Sequence, residues 1–98
     1  MIRVTKTYTR PNITVKFHNE VLNGVHFRTA YGQTGKRVAV NNTYSEDGLN
    51  WYYESFWLNL SMYEEQLNDP ICMVYWNDRD VYNNSNGITS TPTVVEEV

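Results

Sequence analysis

The chain has 98 residues, which is enough for one domain and too few for a second hydrophobic core. Apolar residues make up 41% of it and aromatic residues 14%, and this composition excludes an intrinsically disordered chain. The formal net charge of −3 is divided unevenly. Residues 1–37 contain seven basic and one acidic residue, whereas the remainder contains one basic and ten acidic residues.

The single cysteine, Cys72, excludes an intramolecular disulfide, and no cysteine and histidine spacing predicts a metal site. The N-terminus lacks the apolar segment of a signal peptide, and no apolar run is long enough to cross a bilayer. We therefore expect a cytoplasmic protein that does not associate with membranes. The acidic balance of the whole chain also argues against nucleic-acid binding.

In chain order, residues 2–9 alternate with period two and predict a strand that ends at Pro11. Apolar residues at helical spacing then predict a helix over about 15–30, although residues 13–15 could instead extend the strand. A second strand is predicted over 36–45. Asp47-Gly48 follows and is typical of a tight type I′ hairpin turn.

The third strand, from Leu49 to about Leu60, carries apolar residues on both faces, which predicts that both faces are buried. Ser61 to Glu64 has the spacing of a capping box and predicts a short helix to about Asn68. Asp69-Pro70 predicts the start of a second helix. Asn86-Gly87 predicts its end. Residues 88–97 form the last predicted strand, in which Pro92 indicates an edge or a bulge.

This order, β-α-β-β-α-α-β, predicts an α+β protein with a ferredoxin-like fold over residues 1–98. Right-handed crossovers give an antiparallel sheet in the order 4-1-3-2. In this sheet Arg3 and Lys6 would be flanked by strands that carry Glu54, Glu96 and Glu97. The basic residues of the first part of the chain would then pair with acidic residues on neighbouring strands and would not form a basic surface.

The aromatic segment Trp51–Trp57, followed by Ser61-Met-Tyr-Glu-Glu-Gln-Leu-Asn-Asp-Pro70, resembles the dimeric α/β-barrel superfamily of antibiotic-biosynthesis-monooxygenase-like proteins. The whole chain is also similar to small ferredoxin-like proteins of marine microbial and viral (phage) origin. The resemblance implies a homodimer whose two sheets pack face to face. It implies no single activity, because the superfamily includes cofactor-independent oxygenases, haem-degrading enzymes and isomerases.

Two histidines and a set of aromatic residues are the candidate ligand-binding groups. His18 and His26 are eight residues apart, about 80° of rotation on a helix, so they do not form a close metal-binding pair. The resemblance implies that a histidine here could ligate haem or act as a base, and the alternative is two partly exposed helix residues. Five aromatic residues could line a pocket for a planar ligand or fill the core and the dimer interface; they are Trp51, Tyr53, Trp57, Tyr75 and Trp76.

Arg79 is the only basic residue after position 37, and it is either a ligand-binding group or the partner of nearby carboxylates. No nucleophile, acid or base constellation is visible. We therefore expect a small homodimeric module that binds an apolar or aromatic ligand without a cofactor. The alternatives are a cofactor-independent monooxygenase or isomerase and a protein that interacts with another macromolecule.

Overall fold

The computed structural model describes all 98 residues, Met1–Val98. Helix α1 combines an α-helical turn, Val25–Phe27, with a π-helical turn, Arg28–Gly32. The remaining elements are β1 (Ile2–Thr9), a 3₁₀ turn (His18–Glu20), β2 (Arg37–Tyr44), β3 (Asn50–Trp57), α2 (Leu60–Leu67), α3 (Pro70–Ser85), β4 (Thr89–Ser90) and β5 (Val94–Glu97). None of the helices is long and apolar enough to span a membrane.

The sheet is antiparallel and has the order β2-β3-β1-β4, with β5 also paired to β1. This arrangement confirms the predicted ferredoxin-like order 4-1-3-2. The last predicted strand is divided into β4 and β5, and Pro92 lies in the gap between them. Proline has no N–H to donate to the neighbouring strand, which explains why the strand is interrupted at this position. The interruption agrees with the edge or bulge that Pro92 indicated in the sequence.

The predicted helix over 15–30 is wrong in its first half. Residues 10–24 form a connection with one 3₁₀ turn, and helical structure resumes only at Val25. Side chains supply the hydrogen bonds that a helix would have made: Asn12 Oδ1 accepts from the Thr14 N–H at 3.0 Å, and the Arg10 guanidinium donates to the Val15 carbonyl at 2.9 Å. Such local side-chain bonds compete with helix formation.

Three other local predictions can be compared with the structure. The β2–β3 hairpin is present, but its turn is not type I′, because only Gly48 has a positive φ (75°) and the loop is longer than two residues. The N-cap of α2 is Asn59 rather than Ser61, and its side chain accepts from the Met62 N–H at 3.0 Å. The predicted start of α3 at Asp69 is confirmed, since its carboxylate accepts from the Ile71 N–H at 2.9 Å.

The two faces of β3 differ more than the sequence indicated. Trp51, Ser55 and Trp57 are buried on the side that faces the helices. On the other side, called here the open face, Glu54 forms an ion pair with Arg3 at 2.9 Å, and Tyr52 is 44% exposed. The open face is therefore mixed in polarity, and within one chain the predicted burial of both faces of β3 is met only on the side that faces the helices.

The predicted interleaving of charge is confirmed for Arg3, which lies between β3 and β5 and pairs with Glu54 at 2.9 Å and Glu96 at 3.7 Å. It is wrong for Lys6. That side chain extends over the helix-facing side of the sheet and donates to the Thr91 carbonyl at 2.8 Å. Exposed pairs such as that of Arg3 contribute about 1 kcal/mol or less, so they help to fix register rather than supply much stability.

Candidate functional site

A cavity of about 550 Å³ lies between the helices and the helix-facing side of the sheet. Alternate residues of β1 and β3 form its floor, because a strand points every second side chain to the same face. Side chains from β2, the three helices and the segment around the 3₁₀ turn line the rest of it. The fold therefore places this partly open cavity in the region where most of the aromatic side chains meet.

The structure brings together seven of the eight candidate residues at this cavity. They are His18, Trp51, Tyr53, Trp57, Tyr75, Trp76 and Arg79. His26 does not. It lies on α1, where its Nε2 atom is 2.7 Å from the carboxylate of Asp69. The two histidines are therefore parts of different environments.

All three tryptophans of the chain line the cavity, and each indole N–H donates to a polar side chain that also lines it. The acceptor of Trp51 is Asn42 Oδ1 at 3.0 Å, that of Trp57 is Ser55 Oγ at 3.1 Å, and that of Trp76 is Gln66 Oε1 at 3.3 Å. Buried indoles keep a polar partner in this way. The bonds fix the ring planes, so the aromatic walls are held in place by the chain itself.

His18 is 97% buried and is enclosed by aromatic rings, although it lines the cavity. Its ring centroid is 4.9 Å from that of Tyr8 and 5.0 Å from that of Trp51. Burial lowers the pKa of His18 to about 4, and the positive charge of Arg79 acts in the same direction. The Nδ1 atom has no hydrogen-bond partner in the protein. At neutral pH the cavity therefore contains an uncharged imidazole.

The charged residues of the cavity are all basic. Lys6, Arg28, Arg37 and Arg79 line it, and none of its lining residues is a carboxylate. Arg79 lies with its guanidinium 4.6 Å from the ring centroid of Trp76. Of these four, sequence reasoning considered only Arg79 as a ligand-binding group. The position of Lys6 was readable from the period-two pattern, because it is in phase with the buried residues Val4 and Tyr8.

Tyr31, His26, Asp69 and Cys72 form a second cluster at the start of α3. The Tyr31 hydroxyl donates to Asp69 Oδ2 at 2.6 Å, and His26 Nε2 is 2.7 Å from the same oxygen. Ligand atoms of His26, Asp69 and Cys72 lie within 4.8 Å of one another, a separation that could hold a metal ion. However, Cys72 is fully buried, and burial raises the pKa of its thiol to about 12, which disfavours the thiolate that binds metals. The hydrogen bonds of Tyr31 and His26 to Asp69 connect α1 to the start of α3. We therefore interpret the cluster as a structural link between the two helices, called here the clamp.

The Asp69→Asn substitution tests this clamp. Asparagine is also a good N-cap, so the change mainly removes the charged acceptor of Tyr31 and His26. We expect urea unfolding at pH 7 to show a loss of about 2 kcal/mol. The hydrogen bonds from Tyr31 and His26 hold the pKa of Asp69 well below its usual range. The stabilisation is therefore present above pH ~4, the pKa of an unfolded aspartate, and is lost as the pH falls further.

The difference in the free energy of unfolding between wild type and Asp69→Asn should accordingly become smaller below about pH 4. Asp78→Asn is the matched control, because Asp78 is exposed on the same helix and forms no ion pair. Equal stability of wild type and Asp69→Asn at pH 7 would contradict the clamp.

No protein-family profile and no curated protein sequence matches this chain. Its structure is similar to the crystal structure of a protein from Deinococcus radiodurans that is provisionally named an antibiotic biosynthesis monooxygenase. The TM-score is 0.71 and the sequence identity is 15%, with 100% of this chain and 92% of the other covered. A likeness at this level of identity concerns the fold rather than the activity. The chain therefore has the ferredoxin-like fold of antibiotic-biosynthesis-monooxygenase-like proteins, as the resemblance in its sequence implied.

Proposed function

We propose that this protein binds a small planar aromatic molecule in the cavity between the helices and the sheet. The observation that carries the proposal is the lining of the cavity, which contains every tryptophan of the chain together with Tyr53 and Tyr75. Aromatic walls favour flat ligands because stacked and edge-to-face ring contacts add to the burial of apolar surface. The volume of about 550 Å³ lies within the usual range of ligand pockets.

Titration of the intrinsic tryptophan fluorescence with two-ring aromatic compounds tests the proposal. A bound ring would contact the indoles, so we expect saturable quenching. Val40→Phe places extra volume in the cavity from the edge strand β2 and should weaken binding about tenfold, which corresponds to ~1.4 kcal/mol. Val38→Phe is the matched control, because Val38 is 49% exposed on the same strand and does not line the cavity. Equal affinity of the two variants would place the ligand elsewhere.

A second candidate function is a cofactor-independent oxygenase or isomerase reaction in the same cavity. The unpaired Nδ1 atom of His18 at this cavity favours it, because a neutral imidazole nitrogen can accept a hydrogen bond from a phenol or quinol hydroxyl and so orient the substrate. The provisional name of the Deinococcus radiodurans protein agrees with a reaction of this kind. Oxygen uptake with a panel of quinols tests it, and we expect any activity to be lost in His18→Gln. Uptake that persists in this variant would exclude a role for His18 in the reaction.

We also propose that two copies associate through the open face. Tyr52 is 44% exposed and Val94 is 45% exposed on this side of the sheet, which no helix covers. The charged groups between them are already paired, since Glu54 accepts a hydrogen bond from Asn41 at 2.9 Å and forms an ion pair with Arg3. A partner sheet could therefore cover this face without leaving an unpaired charge.

Light scattering at micromolar concentration should give twice the 11.5 kDa mass of the chain. Phe56 lies on the open face of the central strand β3. Phe56→Lys should therefore shift the population to monomer, because association would bury the lysine charge without a partner. Val81→Lys is a control on the exposed side of α3. A monomeric wild-type protein would contradict the proposed association.

A further inference from the structure

We infer that the ligand of the cavity is an aromatic acid whose carboxylate is held between Lys6 on β1 and Arg79 on α3. This inference rests on the proposed function and specifies the class of ligand. The observation behind it is the sign of the charges that line the cavity. Four basic side chains and no carboxylate surround it, in a chain whose formal net charge is −3. Basic groups are therefore concentrated around the cavity, although the protein as a whole carries a net negative charge.

Lys6 is held in place and still has donor capacity. Its ammonium group donates to the Thr91 carbonyl at 2.8 Å and to Thr93 Oγ1 at 3.3 Å. An ammonium group has three N–H donors, so one remains for a ligand. The two threonine contacts hold the amine without neutralising it, because neither of them carries a charge. Lys6 forms no ion pair in the structure.

Arg79 is oriented by its neighbours in a similar way. Its Nε and one terminal nitrogen are each 3.0 Å from Asp80 Oδ1, and its guanidinium stacks on Trp76. The other terminal nitrogen, Nη1, makes only a long contact of 3.4 Å to the Tyr8 hydroxyl. Since Asp80 is exposed and does not line the cavity, the side of Arg79 that faces the cavity has no anionic partner.

Lys6 and Arg79 both lie beside Tyr8: Lys6 Nζ is 5.9 Å from the Tyr8 ring centroid, and Arg79 Nη1 is 3.4 Å from the Tyr8 hydroxyl. Burial lowers the pKa of Lys6, repulsion by Arg79 lowers it further, and the charge of Asp80 acts in the opposite direction. A carboxylate between the two groups would relieve this repulsion and would accept a charge-assisted hydrogen bond from each. The aromatic walls would hold the ring of the same ligand. Arg28 and Arg37, which also line the cavity, form no ion pair and add to its positive potential.

Three naphthalene compounds that carry an anionic, a neutral or a cationic substituent at the same ring position test the inference. They are 2-naphthoate, 2-naphthylmethanol and 2-naphthylmethylammonium, with affinities measured by tryptophan quenching at low salt and pH 7.5. We expect the anion to bind at least tenfold more tightly than the alcohol, and the ammonium compound to bind most weakly. Lys6→Gln should reduce the advantage of the anion over the alcohol to less than about threefold.

Arg79→Gln on α3 should lower the ratio of the affinities for the anion and the alcohol in the same way. Circular dichroism checks that each variant is folded. Lys16→Gln removes one positive charge from an exposed side chain outside the cavity, so it should leave the ratio of affinities unchanged. Equal binding of the anion and the alcohol would overturn this inference and leave the proposed function intact. Failure of all three compounds to bind would instead contradict the proposed function itself.

Discussion

Trp51→Ala should lower the free energy of unfolding by about 3–5 kcal/mol, the largest stability effect that we expect from a single substitution in this protein. Trp51 is 97% buried, and its ring centroid is 4.8 Å from that of Tyr8 and 5.5 Å from that of Phe17. Its indole also donates to Asn42 on the neighbouring strand. The substitution would therefore remove ring contacts to two strands and to the connection before α1, and would leave a void that rigid β-strands cannot close.

Thermal and urea unfolding monitored by far-UV circular dichroism measure this effect. A domain of this size is stable by about 5–15 kcal/mol, so the variant should be partly unfolded or have a much lower Tm. Leu58→Ala is the control: Leu58 is 53% exposed just beyond the end of the same strand, and its loss should cost about 0.5 kcal/mol or less. A Trp51→Ala protein as stable as this control would show that the buried aromatic cluster is not the core.

Acidification from pH 7 to pH 4 should cost the protein about 3 kcal/mol through His18 alone. An unfolded histidine has a pKa of ~6.5, whereas burial among aromatic rings lowers the pKa of His18 to about 4 in the folded chain. Between these values the unfolded state binds the proton and the folded state does not. Stability therefore falls as the pH decreases through this window, and His18 contributes no further change below it.

His18→Phe isolates this contribution, because it keeps an aromatic ring in the site and removes the titrating group. The stability of wild type and variant should be compared by urea unfolding at half-unit pH intervals. We expect the variant to lose about 3 kcal/mol less than wild type between pH 7 and 4, whatever its stability at pH 7. The carboxylates that titrate in the same range are common to both proteins. Parallel pH profiles would mean that His18 is not buried in its neutral form.

Most of the fold was predictable because the central strands β1 and β3 follow a period-two pattern and the long helix begins at Asp69-Pro70. The helix predicted over 15–30 could not be corrected from the sequence. Phe17, Val21 and Val25 have helical spacing, yet Phe17 packs under the sheet while Val21 and Val25 are about half-exposed. The bonds of Arg10 to Gly48 and Val15 that stabilise this connection depend on tertiary structure, which no local pattern contains.

The aromatic residues of the candidate site were predicted from the sequence, whereas only Arg79 of its four basic residues was considered. Trp51, Tyr53 and Trp57 alternate along one predicted strand, so a shared face could be expected. Lys6 was interpreted as an exposed strand residue that pairs with glutamates, whereas its register opposite Tyr53 puts it on the helix-facing side. Arg28 and Arg37 come from α1 and β2, and only the crossover between these elements brings them to the same cavity.

The most direct test of ligand binding in the cavity uses the three indole N–H signals in ¹H–¹⁵N spectra. Each of these groups donates to a side chain that lines the cavity, so a ligand there must perturb them. On titration with 2-naphthoate and, separately, 2-naphthylmethanol, we predict that all three signals shift along one saturation curve with at least one compound. The backbone amides of Tyr52 and Phe56 should shift less, because their side chains point to the open face. Indole signals that stay unchanged with both compounds, in a folded protein, would contradict the account.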